Sequence, residues 1–247
     1  MIGGIVILIV TIVVAGILSS FERFQAKYFF DENINIVQFY NGLLVPVGVF
    51  SAYTLILNNV LSRPAKILVN VSDQVFVFAS VLLITLISVG VGTHTPSKIL
   101  NKLFEDDAKH TKIYKTNEFY HLQFSHFLIY ANSLILAFVG ALAEINHPDL
   151  TGANGPGVVI IGALVGIAVG IAIAVYHVNM GLGMRRYMVL SSILVALLMG
   201  IMGWLELQLA VHPIYLFWLV GLLFAAITIA LFKLLFVLNV IKPNPRL

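Results

Sequence analysis

The chain of 247 residues is 60% apolar before its 19 glycines are counted, and 10% of it is charged, against about 25% in an ordinary soluble domain. That is too little polar surface for a water-soluble fold of this size, so lipid is the solvent for most of the chain. No cysteine is present, which excludes disulfides, iron–sulfur clusters and thiolate chemistry, and a net charge of +3 is too small an excess to direct the chain to nucleic acid.

A bilayer core about 30 Å thick is crossed by about 20 apolar residues of helix, and seven runs qualify. The first, Ile2–Ser20, has no basic stretch before it and is followed by Arg23 and Lys27, so it reads as a retained helix and not a cleaved leader. Over Phe21–Phe30, Phe21, Phe24 and Tyr28 share a helical face opposite Glu22, Arg23 and Lys27, the pattern of an interfacial helix. The second run is Val37–Asn59 and the third Gln74–Thr93. Beyond the third, Thr95 can cap and Pro96 can open another interfacial helix, with Leu100, Leu103 and Phe104 toward lipid and Lys98, Lys102 and Asp106 toward water.

The fourth run, Phe119–Ile145, leads into Asn146–Gly157, whose prolines and glycines predict a compact turn. In the fifth, Val158–Met180, Gly162, Gly166 and Gly170 recur every four residues and form a glycine zipper along which a neighbouring helix can approach. The sixth, Tyr187–Val211, offers Gly200 and Gly203 for a similar role, and Ile214–Val240 is the seventh. These long runs lack the period-2 alternation of a membrane barrel. The predicted class is therefore all-α, a polytopic bundle of seven transmembrane helices forming a single domain over residues 1–247.

Seven spans put eleven of the fourteen lysines and arginines on one side and Arg63 and Lys66 on the other. The remaining one, Lys233, lies near the end of the last span and can snorkel. Because basic loops stay in the cytoplasm, the amino terminus is expected outside and the carboxyl terminus inside, in a multi-pass protein of the plasma membrane.

Ionisable groups within spans are costly and are functional candidates by default. Toward the cytoplasm stand His94, Glu118, His121, Ser125, His126, His177 and Asn179. On an α-helix Glu118, His121, Ser125 and Asn132 fall within about 60° of one another, whereas His126 points about 140° away from His121. The expected metal ligands are thus His94, His121 and His177. Three imidazoles with an open fourth position are the catalytic arrangement of zinc, and another divalent metal is equally admissible; Glu118 would be the general base. Toward the outer face stand Glu144, His147, Asp149, Glu206, Gln208 and His212, with Glu206 read as lying inside the sixth span. Glu-x-x-His occurs at Glu118/His121 and Glu144/His147, but about 39 Å of helix separates the pairs, so they cannot share a site. As an alternative to metal, His126 with His177 and His147 with His212 could each ligate a haem.

No His-Glu-x-x-His, Gly-x-Ser-x-Gly or phosphate-binding loop narrows the choice. Four functions fit the residues: a metal-dependent enzyme acting on a membrane-embedded, lipid-like substrate; a haem- or metal-carrying electron-transfer subunit; a transporter of a small solute or metal; and a structural subunit of a larger membrane complex. The expected partners are the lipid bilayer and other membrane subunits, and not nucleic acid.

Overall fold

The computed structural model describes residues 2–20, 28–31, 34–68, 70–104, 110–150, 156–179 and 184–238. Over these residues the chain is helical apart from one short strand pair and the turns that join the helices, and the helices fall at the seven apolar runs. We label them α1 (Ile2–Ser20), α2 (Ile36–Leu61), α3 (Asp73–Leu103), α4 (Lys112–Asn146), α5 (Pro156–Asn179), α6 (Met184–Trp204) and α7 (Pro213–Val237). Among the described residues, five of them are long and apolar enough to cross a membrane, namely α2, α3, α4, α6 and α7; α1 and α5 contribute the shorter apolar stretches Gly3–Ala15 and Gly157–Ala172. Large apolar side chains such as Val10, Val47, Phe78, Phe127, Ile161 and Leu231 stay exposed. In water such surface would drive aggregation, whereas lipid solvates it.

Local chemistry explains where several helices start and bend. Asn35 and Gln38 form a reciprocal capping box that opens α2: the Gln38 N–H donates to Asn35 Oδ1 (2.8 Å) and the Asn35 N–H to Gln38 Oε1 (3.1 Å). A π turn follows at Tyr40–Leu44, with the Val45 N–H donating to the Tyr40 carbonyl. It immediately precedes Pro46, which lacks an N–H and needs room against the turn before it. Thr111 caps α4, accepting from the Tyr114 N–H.

Three expectations are corrected. Tyr28–Asp31 is a strand (β1) paired antiparallel with Ile34–Asn35 (β2), so an interfacial helix does not extend through Phe30; residues 21–27 lie outside the described residues. Thr95 and Pro96 do not begin a new helix, because α3 runs on through Pro96. The sixth helix ends at Trp204, well short of Val211.

The chain forms two compact units, one of Met1–Ile56 with Leu82–Ser133 and the other of Leu57–Val81 with Leu134–Leu247. In the first, α1 lies close on α2: a Cβ on Gly4 would meet the Ala52 carbonyl at 2.8 Å, and one on Gly48 would strike the Thr11 side chain. In the second, the glycine stripe of α5 lies on α7. A Cβ on Gly162 would sit 3.4 Å from the Pro213 carbonyl oxygen, while those on Gly166 and Gly170 would collide with the carbonyls of Phe217 and Gly221. Backbone therefore meets backbone, the contact that drives helix association where lipid removes any hydrophobic gain. Gly200 and Gly203 have nothing within 4 Å and do not repeat this role.

Candidate functional site

The histidine cluster is built on α3 and α4 within the first unit. Gly90 lets the two helices close, since a Cβ there would stand 3.0 Å from the Ser125 carbonyl oxygen. One turn further along α3, His94 reaches α4. Its ring centroid lies 4.7 Å from that of His121 and 4.8 Å from that of His126, and the last two are 6.0 Å apart. His126 thus joins the site from which α-helical geometry excluded it. The reason is a π turn over Phe119–Phe124, where the Ser125 N–H donates to the Tyr120 carbonyl. Closing i→i+5 bonds brings residues five apart onto nearly one face.

Hydrogen bonds fix two of the three imidazoles. Ser125 Oγ donates to the His121 carbonyl (2.5 Å), so its proton is spent. His94 Nδ1 faces both that carbonyl and Ser125 Oγ, each at 3.4 Å. Both neighbours accept there, so Nδ1 carries the proton and Nε2 the lone pair. His121 is held the opposite way. Asn117 Nδ2 donates to the Ser97 carbonyl (2.8 Å) and to Asn101 Oδ1 (2.6 Å), which turns the Asn101 amide nitrogen onto His121 Nδ1 at 3.2 Å. His121 Nδ1 therefore accepts, and its proton sits on Nε2. His126 is 2% exposed and packs on Tyr130, with ring centroids 5.4 Å apart.

Of the other residues expected here, Glu118 accepts from the Tyr114 hydroxyl at 3.1 Å, and Asn132 donates to the Leu128 carbonyl of its own helix. His177 stands on α5, but its side chain and that of Asn179 lie outside the described residues. Among the described residues, no three His, Asp or Glu side chains are set to hold a metal ion as they stand. Asn101 and Asn117 were not singled out from sequence; amides carry no chemical signature there, and their value comes from reaching between helices.

The polar residues expected at the outer face form a network in the second unit. Glu144, fully buried, accepts from Arg63 Nη1 (2.7 Å) with one oxygen and from the Tyr215 N–H with the other. The carboxylate therefore caps the amino end of α7. Arg63 also donates to the His147 carbonyl (2.9 Å). His147 Nε2 meets Asp73 Oδ1 at 2.9 Å, its Nδ1 meets the Arg63 carbonyl at 3.3 Å, and Lys66 pairs with the same Asp73 oxygen at 2.9 Å. Asn146 Oδ1 accepts from the Leu68 N–H, and the Asp149 N–H donates to the Val211 carbonyl. Both ring nitrogens of His147 thus face protein oxygens, Asp73 Oδ1 and the Arg63 carbonyl.

His212 donates from Nδ1 to the Gln208 carbonyl (2.9 Å), leaving a buried lone pair on Nε2. Burial pushes its pKa below the ordinary histidine value and the Arg63 charge pushes the same way, against the opposing effect of the Gln208 bond. Glu206 is corrected: it is exposed beyond α6, with φ +50°, and the Leu207 N–H reaches back to the Met202 carbonyl. It is the left-handed residue closing the helix, not a carboxylate buried in a span.

No protein family, curated protein or solved structure matches the chain.

Proposed function

We propose that the chain is a seven-span membrane protein, amino terminus outside, whose imidazole cluster of His94, His121 and His126 binds a divalent transition metal at the cytoplasmic side. The observation that carries this is the spacing of the rings, 4.7, 4.8 and 6.0 Å between centroids. Three imidazoles bound tetrahedrally at about 2.0 Å hold their centroids about 5 Å apart. The proton on His94 Nδ1 fits as well, because metal-bound histidines give their other N–H to a carbonyl or similar acceptor. His126 takes the place that the sequence reading gave to His177. Rotation about χ2, a broad torsion in histidine, turns the nitrogens inward. With a metal in place, the open fourth position would hold water or substrate, and Glu118, one turn before His121, would be the base of an enzyme acting on a membrane-embedded substrate.

A second reading has its own support. The Asn101 bond keeps a proton on His121 Nε2, which suits a metal-free acid–base cluster. Metal analysis of the purified protein separates the two. The metal reading predicts about one zinc-like ion per chain, lost in both His121→Ala and His126→Ala and retained in His147→Ala. Metal-free protein that takes up no zinc or cobalt leaves the acid–base reading, and equal losses in all three variants defeat the assignment to this cluster.

A further inference from the structure

A second feature of the first unit lies outside the imidazole cluster. A cavity of about 580 Å³ opens between the first turns of α2 and the second half of α3, within the range of small-molecule sites, about 300–1,000 Å³. Its walls are chiefly apolar, among them Phe39, Pro46, Val47 and Phe50 of α2 and Val91 of α3. Both helices are apolar enough to span a membrane, so a ligand arrives from lipid. Gln38 also lines the cavity and is 6% exposed. Its amide cannot turn freely, because the capping box fixes Oε1 on the Asn35 N–H. Nε2 is therefore a donor of fixed direction, and it is buried without a hydrogen-bond partner among the described residues. Ser88, on the opposite wall, spends its proton on the Ile84 carbonyl at 2.9 Å.

We infer that this cavity binds an uncharged, membrane-partitioned amphiphile that presents a carbonyl oxygen to Gln38 Nε2. An apolar wall with a fixed, unsatisfied donor selects a greasy molecule bearing an acceptor: a buried polar atom left unpaired is costly, and a carbonyl satisfies it. A quinone ring and the ester carbonyl of an acyl lipid share this chemistry. The inference is independent of metal at the histidines.

The test uses the full chain in nanodiscs of ether-linked phosphatidylcholine, which contribute no ester carbonyl. The probes are a photoreactive decyl-benzoquinone and a photoreactive diacylglycerol. Saturable labelling within residues 34–50 or 88–96 by either probe is expected, and the probe that labels identifies the source of the carbonyl. Gln38→Glu keeps the capping box but replaces the donor with an acceptor. Gly92→Leu fills the cavity from a position whose Cβ meets nothing within 4 Å, so it leaves the packing intact even if Gln38→Glu does not fold. Each variant is expected to weaken labelling about tenfold or more. Absence of saturable labelling by both probes overturns the inference, and so does equal labelling of wild type and Gly92→Leu.

Discussion

The Arg63–Glu144 pair is the most consequential contact between individual side chains. Arg63 is 9% exposed and Glu144 is 0% exposed, and the same carboxylate holds the first turn of α7 through the Tyr215 N–H. Removing one member of such a pair strands a buried charge, which costs about 3–5 kcal/mol. Glu144→Ala is therefore expected to lower thermal stability in detergent by that amount. The paired change Arg63→Met with Glu144→Leu is expected to recover part of the loss. A loss below about 1 kcal/mol in Glu144→Ala would mean that the pair holds little. Sequence reading reached Glu144, His147 and His212 as a group because intramembrane ionisable residues attract notice one by one. It missed Arg63, Asp73 and Asn146 as their partners. Those residues lie on other segments, and no spacing rule connects positions some 80 apart in sequence.

At the scale of elements, apolar run length located α1 to α7 among the described residues, because the demand for about 20 apolar residues is local. The helix interiors were less legible. A π turn adds rotation that no α-helical projection contains, so His126 was assigned away from His121 although their ring centroids lie 6.0 Å apart. Pro96 was taken as a start signal, which is its common use, yet packed membrane helices tolerate interior prolines. The glycine stripe was legible as a close contact, but its partner, α7, was not. Gly170→Val must push apart two backbones, and an overpacked contact of this kind costs about 1–3 kcal/mol. Gly200→Ala, facing open space, is expected to be neutral or slightly stabilising through helix propensity. Equal destabilisation by the two in a thermal scan would refute the assignment of the α5–α7 contact.

For the whole molecule, charge decides orientation. Arg63 and Lys66, which the charge count assigns to the outside, are both engaged by carboxylates, Glu144 and Asp73, while it assigns the basic majority to cytoplasmic loops. A reporter fused after Leu247 is expected to be active in the cytoplasm and one fused before Met1 outside; both on the same face would contradict an odd number of spans. Orientation then sets which compartment the imidazole cluster serves. The most direct measurement on that cluster is X-ray absorption of protein purified with its metal. The proposal predicts a first shell of nitrogen and oxygen near about 2.0 Å with outer scattering from three imidazoles, abolished when His94, His121 and His126 are all changed to Ala. An unchanged spectrum in the triple variant, or protein that retains no metal at all, would contradict it.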